Sequence, residues 1–249
     1  MNDLYESVVI IILAAGKGTR MKSDKAKVLH SLSGRPMIMH VVETAVKVTG
    51  KEIIIVIGNQ AEKVKEVVSA SADVKFALQK EQKGTGHAVK CALPELSQDC
   101  DNVVILSGDV PLIKSSTIRD LIKDHVNHEN DVTVLGVCLE NPFGYGRIVE
   151  NKSGGVEKIV EETDANEFEK KINTVNSGIY CVKRDFLEIS LSELKSNNKQ
   201  NEIYLTDIVE VANNYHKKIG VKSCEDQAEV MGINTPQDLL NIETMQMES

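Results

Sequence analysis

Val8-Val9-Ile10-Ile11-Ile12-Leu13-Ala14-Ala15-Gly16-Lys17-Gly18-Thr19-Arg20-Met21 is an unbroken apolar run that passes directly into a glycine-containing turn carrying two basic side chains. A strand with one wet face alternates polar and apolar residues. The continuous, mostly β-branched run Val8–Leu13 therefore predicts a strand covered on both faces, as parallel sheets require. In the turn, small residues let backbone amides come close to a phosphate, and Lys17 and Arg20 bring charge against it. Two familiar phosphate motifs do not fit. Thr19, not lysine, follows Gly18 as a P-loop would need, and Met21 stands where the dinucleotide fingerprint has its third glycine. Alone, the loop reads equally as a phosphate cradle or as a tight turn with solvated Lys17 and Arg20.

Working outward, strand-like and helix-like segments alternate. Strands are predicted at Ile53–Ile57, Val74–Leu78, Val103–Leu106 and Val132–Val137, with helices at Glu62–Ser69, His87–Leu93 and Thr117–Val126, a βαβα rhythm that implies a parallel sheet with helices on both faces. After about residue 140 the rhythm changes. Asn141–Gly146 is rich in turn residues, and Arg147–Glu150 and Val156–Val160 flank Gly154-Gly155 like a hairpin. A further strand at Thr174–Val182, a helix at Tyr204–Asn213 and a last helix opened by Thr235-Pro236 complete the pattern.

The composition narrows the possible classes. With 41% hydrophobic and 27% charged residues, the 249-residue chain has ample apolar material for a core and cannot be a disordered segment. Thirty-seven acidic against 29 basic residues leave a net charge of −8, which argues against nucleic-acid or anionic-membrane partners and confines phosphate recognition to a local site. No apolar run approaches the ~20 residues of a membrane span, and Met1–Ser7 carries Asp3 and Glu6 where a signal peptide is basic, so the sequence reads as cytoplasmic. Cys91, Cys100, Cys138, Cys181 and Cys224 show no C-x-x-C spacing, and free, mostly buried thiols are expected.

Several segments occur together in one order: Leu13–Met21, Lys27-Val28-Leu29-His30, Leu78–Ala88, Gly108-Asp109-Val110-Pro111-Leu112, Gly144-Tyr145-Gly146-Arg147-Ile148, Ile159-Val160-Glu161, Asn176-Ser177-Gly178 and Gly232-Ile233-Asn234. This ordered set resembles the sugar nucleotidyltransferases, and within them the N-acetylglucosamine-1-phosphate uridylyltransferases of bacterial cell-wall precursor synthesis. The resemblance implies an α/β, Rossmann-like nucleotidyltransferase fold with a mixed, mostly parallel sheet flanked by helices. It implies a single domain over 1–249, with a nucleotide-binding half at about 1–112 and a sugar-binding half at about 113–249.

The activity so implied joins UTP and a sugar-1-phosphate to give a UDP-sugar and pyrophosphate. The nucleophile is already an ionised phosphate, so the enzyme must align two anions and neutralise their charge, without a general base. By resemblance, Arg20, Lys27 and Asp109 are the catalytic set, and Asp109 and Asn234 hold Mg²⁺ through hard oxygen ligands. Leu13, Ala14, Ala15 and Gly16 frame the nucleotide, Gln79 reads the base with its amide, and Gly84 and Thr85 meet base and ribose. Ser107 and Gly108 line the site, and Gly146, Glu161 and Asn176 form the hexosamine pocket.

Two departures stand out. Ala26 replaces the family's usual proline before the lysine, so that φ at 26 is no longer fixed by a ring. No hexapeptide repeat appears, so the C-terminal left-handed β-helix of many members, and the acetyltransferase activity it carries, are expected to be absent. Oligomeric state stays open. A nucleotidyltransferase for another sugar phosphate or base, or a non-catalytic nucleotide-sugar sensor, are the alternatives. Retention of Arg20, Lys27, Asp109 and Asn234 weighs against the sensor.

Overall fold

The computed structural model describes residues 3–152 and 154–248. Met1 and Asn2, at the head of the segment read for a leader, lie outside the described residues, as do Ser153 and Ser249. The helices are α1 (Asp3–Glu6), α2 (Met37–Thr49), α3 (Ala61–Ser69), α4 (Thr85–Ala92), α5 (Ser115–Asn127), α6 (Arg184–Glu193), α7 (Ile208–Asn214) and α8 (Pro236–Glu248). The strands are β1 (Val8–Ala14), β2 (Ser31–Leu32), β3 (Arg35–Pro36), β4 (Ile53–Ile57), β5 (Lys75–Leu78), β6 (Asn102–Ser107), β7 (Val132–Cys138), β8 (Gly146–Glu150), β9 (Val156–Val160), β10 (Thr174–Lys183) and β11 (Ile219–Ser223).

The main sheet runs β11-β7-β10-β6-β1-β4-β5, with the β8–β9 hairpin attached through β10. β6, β1, β4 and β5 are parallel, as the apolar runs predict. Along β1, Val8, Ile10, Ile12 and Ala14 join the core beneath α2, α3 and α5, whereas Val9 and Ile11, with Ala15 just past the strand, join the core beneath α4, α6 and α7. Each face of this strand is thus apolar because each meets a helical layer.

Two sequence expectations are corrected. β7 does not continue the parallel series directly, because β10 lies antiparallel between β6 and β7. The expected helix at Tyr204–Asn213 begins later: Leu205–Asp207 is a 3₁₀ turn and α7 opens at Ile208. The elements α1, α2, α6, β2, β3 and β11 have no counterpart in the sequence reading. α2 carries a helical signal of its own, Pro36 at its start and buried Ile38, Val41, Val42, Ala45 and Val48 on one face, which the sequence reading above leaves unused.

β10 also forks. Tyr180–Lys183 pairs with β6, whereas Val175 and Asn176 pair with Arg147 and Gly146 of β8. A register shift between Asn176 and Tyr180 separates the two halves, and Gly178 takes φ +79° there. Backbone of that hand suits glycine, which carries no Cβ. β2, the start of α2 and α8 share a small cluster of Leu32, Met37, Ile233 and Ile242, which ties the loop before α8 to the first half of the chain. All five cysteines are free; Cys100, Cys181 and Cys224 are buried, and Cys138 is exposed.

Candidate active site

The carboxyl ends of β1, β5 and β6 open at one edge of the parallel sheet, where open α/β sheets form ligand crevices. A cleft of about 810 Å³ lies there. Leu13, Ala14, Ala15, Gly16, Lys27, Gln79, Gly84, Thr85, Ser107 and Asp109 all line it. Ten residues picked from the sequence therefore share one concavity. Gly108 lies behind this wall, its N–H donating to Leu13 O at 2.9 Å, and a Cβ there would sit 3.0 Å from that same oxygen.

At one rim four charged or polar groups converge. The Lys27 ammonium bonds Asp109 Oδ2 and, at 3.0 Å, Asn234 Oδ1. Arg20 donates to the same Asn234 oxygen at 2.8 Å. The loop carrying Asn234 is held on both sides: Ile233 N–H donates to Asp109 O at 2.9 Å, and Asn234 and Thr235 N–H donate to Asp238 Oδ2 at the start of α8. Asn234 Nδ2 donates to Gly232 O, which turns its amide oxygen toward the cations. Because one ammonium meets both Asp109 and Asn234, those two oxygens face a common point fit for a cation. A carboxylate and a neutral amide oxygen suit a hard divalent ion that draws its remaining ligands from water and phosphate. Among the described residues there is no group of three or more His, Cys, Asp or Glu able to cage a metal.

Lys27 is placed by Gly18. At φ +63° Gly18 lies so close that a Cβ would be 2.5 Å from Lys27 Cβ. Ala26 takes φ −55°, within the range a proline ring imposes. Its N–H, which proline would lack, donates to Gln60 Oε1 at 3.4 Å.

Gln79 is 3% exposed at the far end of the cleft. Its Nε2 donates to Gly84 O at 3.1 Å and lies 3.1 Å from His87 Nδ1. A carbonyl can only accept, so this contact fixes the amide orientation and makes His87 Nδ1 the acceptor. Oε1 is left without a protein partner among the described residues. Both amide hydrogens are thus engaged within the protein, and the amide oxygen is the group left to face the cleft.

Gly146, Glu161 and Asn176 do not line this cleft but gather beside it. Gly146 pairs with Asn176, and a Cβ on Gly146 would be 3.4 Å from Glu161 Oε2. Thr206 donates to Glu161 Oε1 at 3.3 Å. Burial holds the Glu161 carboxyl above its usual range, opposed by the Thr206 bond and assisted by Asp207 and Asp164. Glu161 also borders a second cavity of about 520 Å³ with Asp164, Tyr204 and Asp207. Its neighbour Glu162, in the turn that follows β9, is bound elsewhere, to Arg147 at 2.7 Å and to Gly144 N–H at 3.0 Å.

The segment Ile203–Thr206 joins the two regions. Ile203 N–H donates to Lys83 O, Gly86 N–H to Ile203 O and Leu205 N–H to Thr85 Oγ1, at 2.7, 2.9 and 3.0 Å. Thr206 then reaches Glu161. Sequence reasoning missed this connection, and the polar pair Thr206-Asp207 inside an apolar stretch was its only signal.

The chain belongs to the nucleotidyl transferase family, whose profile matches residues 9–226. Among curated relatives, the bifunctional protein GlmU of Geotalea uraniireducens is 47% identical over 234 residues, 94% of this chain and 50% of that protein. GlmU of Caldanaerobacter subterraneus subsp. tengcongensis is 46% identical over 238 residues, 96% of this chain and 51% of that protein. GlmU of Desulfotalea psychrophila is 42% identical over 228 residues, 92% of this chain and 67% of that protein. The chain thus spans about half the length of most of these relatives. The crystal structure of UDP-glucose pyrophosphorylase complexed with UDP-glucose shares the fold, with a TM-score of 0.77, 19% identity, and coverage of 96% of this chain and 98% of that one. No helix among the described residues is long and apolar enough to cross a membrane.

Proposed function

We propose that this cleft transfers UMP from UTP to N-acetylglucosamine-1-phosphate, giving UDP-N-acetylglucosamine and pyrophosphate for peptidoglycan precursors in the cytoplasm. The carrying observation is the convergence of Arg20, Lys27, Asp109 and Asn234 at the rim of a cleft whose other end holds Gln79 and Gly84. The curated relatives named GlmU support the choice of this reaction. The nucleotide-binding half is assigned to about 1–112 and the sugar-binding half to about 113–249.

An oxygen of the sugar phosphate forms the new bond to the α-phosphorus as the bond to the β-phosphate oxygen breaks in line. Pyrophosphate leaves with that electron pair. Lys27 and Arg20 neutralise the charge gathering on the phosphates, and the backbone of Leu13–Gly16 holds the nucleotide close. Ser107 completes the wall beside Asp109, with Gly108 packed behind it. Asp109 and Asn234 would hold Mg²⁺, which supplies further charge neutralisation at the phosphate oxygens. Gln79 Oε1 accepts the imide N–H of uracil, a proton that cytosine lacks at that ring nitrogen, and Thr85 and Gly84 flank the base and ribose. Gly146, Glu161 and Asn176 bind the sugar.

The test is pyrophosphate release with UTP, Mg²⁺ and N-acetylglucosamine-1-phosphate, beside CTP, dTTP, GTP and glucose-1-phosphate. Asp109→Ala is expected to lower turnover by roughly 10²-fold or more. Preference for another pair would overturn the substrate assignment, and tight UDP-sugar binding without turnover would overturn catalysis.

A further inference from the structure

We propose that Tyr180 is a positioning residue for the sugar phosphate, its buried hydroxyl fixing the Asn176 amide that meets the sugar. The inference rests on the reading above, in which Asn176 contacts the hexosamine. Asn176 Nδ2 donates to Tyr180 Oη at 2.7 Å, and Gly178 N–H donates to Asn176 Oδ1 at 2.9 Å. One donor and one acceptor of the amide are thus taken within the protein. One N–H and one oxygen lone pair remain, the complement of a hydroxyl group, which both donates and accepts.

The contact depends on the break in β10. Residues four apart in a regular strand lie about 13 Å apart. The register shift between Asn176 and Tyr180, with Gly178 at φ +79°, folds that distance away. Ser177 secures the irregularity by donating to Leu135 O at 2.7 Å and accepting from Ile179 N–H at 3.2 Å. Asn176 and Tyr180 are 8% and 1% exposed, so water does not stand in for either partner. Burial, then the charge of Glu161, holds Tyr180 ionisation well above its usual value, and the phenol stays neutral. Its oxygen therefore serves as a fixed acceptor at any working pH. Nothing in the mechanism uses this hydroxyl directly.

Tyr180→Phe removes one oxygen and keeps the ring. Its expected effect is a roughly five- to ten-fold rise in KM for N-acetylglucosamine-1-phosphate, with kcat and KM for UTP changed less than about twofold. Asn176→Ala should raise the same KM further, and adding Tyr180→Phe to it should cost nothing more, since the hydroxyl acts through the amide. Calorimetry gives a second reading: Tyr180→Phe weakens UDP-N-acetylglucosamine and leaves UDP binding unchanged. An unchanged sugar KM overturns the proposal. So does an equal rise in both KM values with a lowered Tm, or independent effects that multiply in the double variant. A wild-type protein that binds UDP-sugar but does not turn over would overturn the proposed reaction alone, and the calorimetric comparison would still decide the role of Tyr180. Equal wild-type affinity for UDP and UDP-N-acetylglucosamine would overturn both.

Discussion

Gly16 and Gly18 sit two residues apart in the first loop and predict opposite phenotypes. A Cβ on Gly16 meets nothing within 4 Å, whereas one on Gly18 collides with Lys27 Cβ at a φ of +63°. Gly16→Ala should therefore leave stability within about 0.5 kcal/mol while raising KM for UTP, because the new methyl intrudes where the nucleotide is proposed to lie. Gly18→Ala should destabilise by about 1–2 kcal/mol and lower kcat through displacement of Lys27. Thermal melts and steady-state kinetics on the pair check both. At this scale the sequence was informative where chemistry restricts residue type, as for Lys27, Asp109 and Asn234, whose ordered motifs sit together in space. It was silent on Tyr180 and Gln60. Their roles arise from a bulge and from a loop crossing, and neither leaves a periodic or compositional mark.

The Ile203–Thr206 segment gains its importance from what it touches at either end. A Cβ at Gly84 would stand 2.5 Å from Ile203 O and 2.8 Å from Ile203 N, at φ +108°. Neither backbone atom has a flexible end that could move aside. Gly84→Ala is thus expected to cost about 2–3 kcal/mol of stability and to raise KM for both substrates, since the same segment carries Thr206 to Glu161. Denaturant unfolding and two-substrate kinetics read the two effects. α7 starts late in the same segment: Leu205 N–H and Thr206 Oγ1 bond Thr85 and Glu161, and Leu205–Asp207 forms a 3₁₀ turn before the helix begins. Local periodicity favours a helix from Tyr204, and the 3₁₀ turn runs directly into α7 at Ile208.

Across the whole molecule two buried titrations oppose each other. His125 is 1% exposed between Thr133 Oγ1 at 2.9 Å and Asn102 Oδ1 at 3.1 Å, and burial, aided by Lys183, lowers its pKa from 6.5 to about 4. Between those values the unfolded chain binds the extra proton, so this group's contribution is full above pH 6.5 and lost toward pH 4, by about 3 kcal/mol at most. Asp207 runs the other way, its pKa raised from 3.8 to about 6 by burial and then by Glu210 and Asp164. Its contribution is full below pH 3.8 and lost as pH rises through 6, by about 1 kcal/mol once its partial solvent access is allowed for. Asp207→Asn should therefore raise Tm above pH 6 and steepen the rise of Tm between pH 4 and 6.5, as scanning calorimetry across that range would reveal. The parallel half of the sheet was legible from the apolar runs alone. The place of β10 was not, because strand order is a property of the assembled sheet, and periodicity reports only what each strand buries.

That strand order bears on how the protein is made. When β6 and β7 have left the ribosome, the strand destined to lie between them is still some tens of residues from being synthesised, since β10 begins only at Thr174. Until then each presents a bare edge of unpaired backbone N–H and C=O groups between apolar faces, the kind of surface that recruits neighbouring chains. The nascent polypeptide therefore passes through a window in which chaperone protection matters most, and any product terminated inside that window should be cleared or aggregate rather than fold.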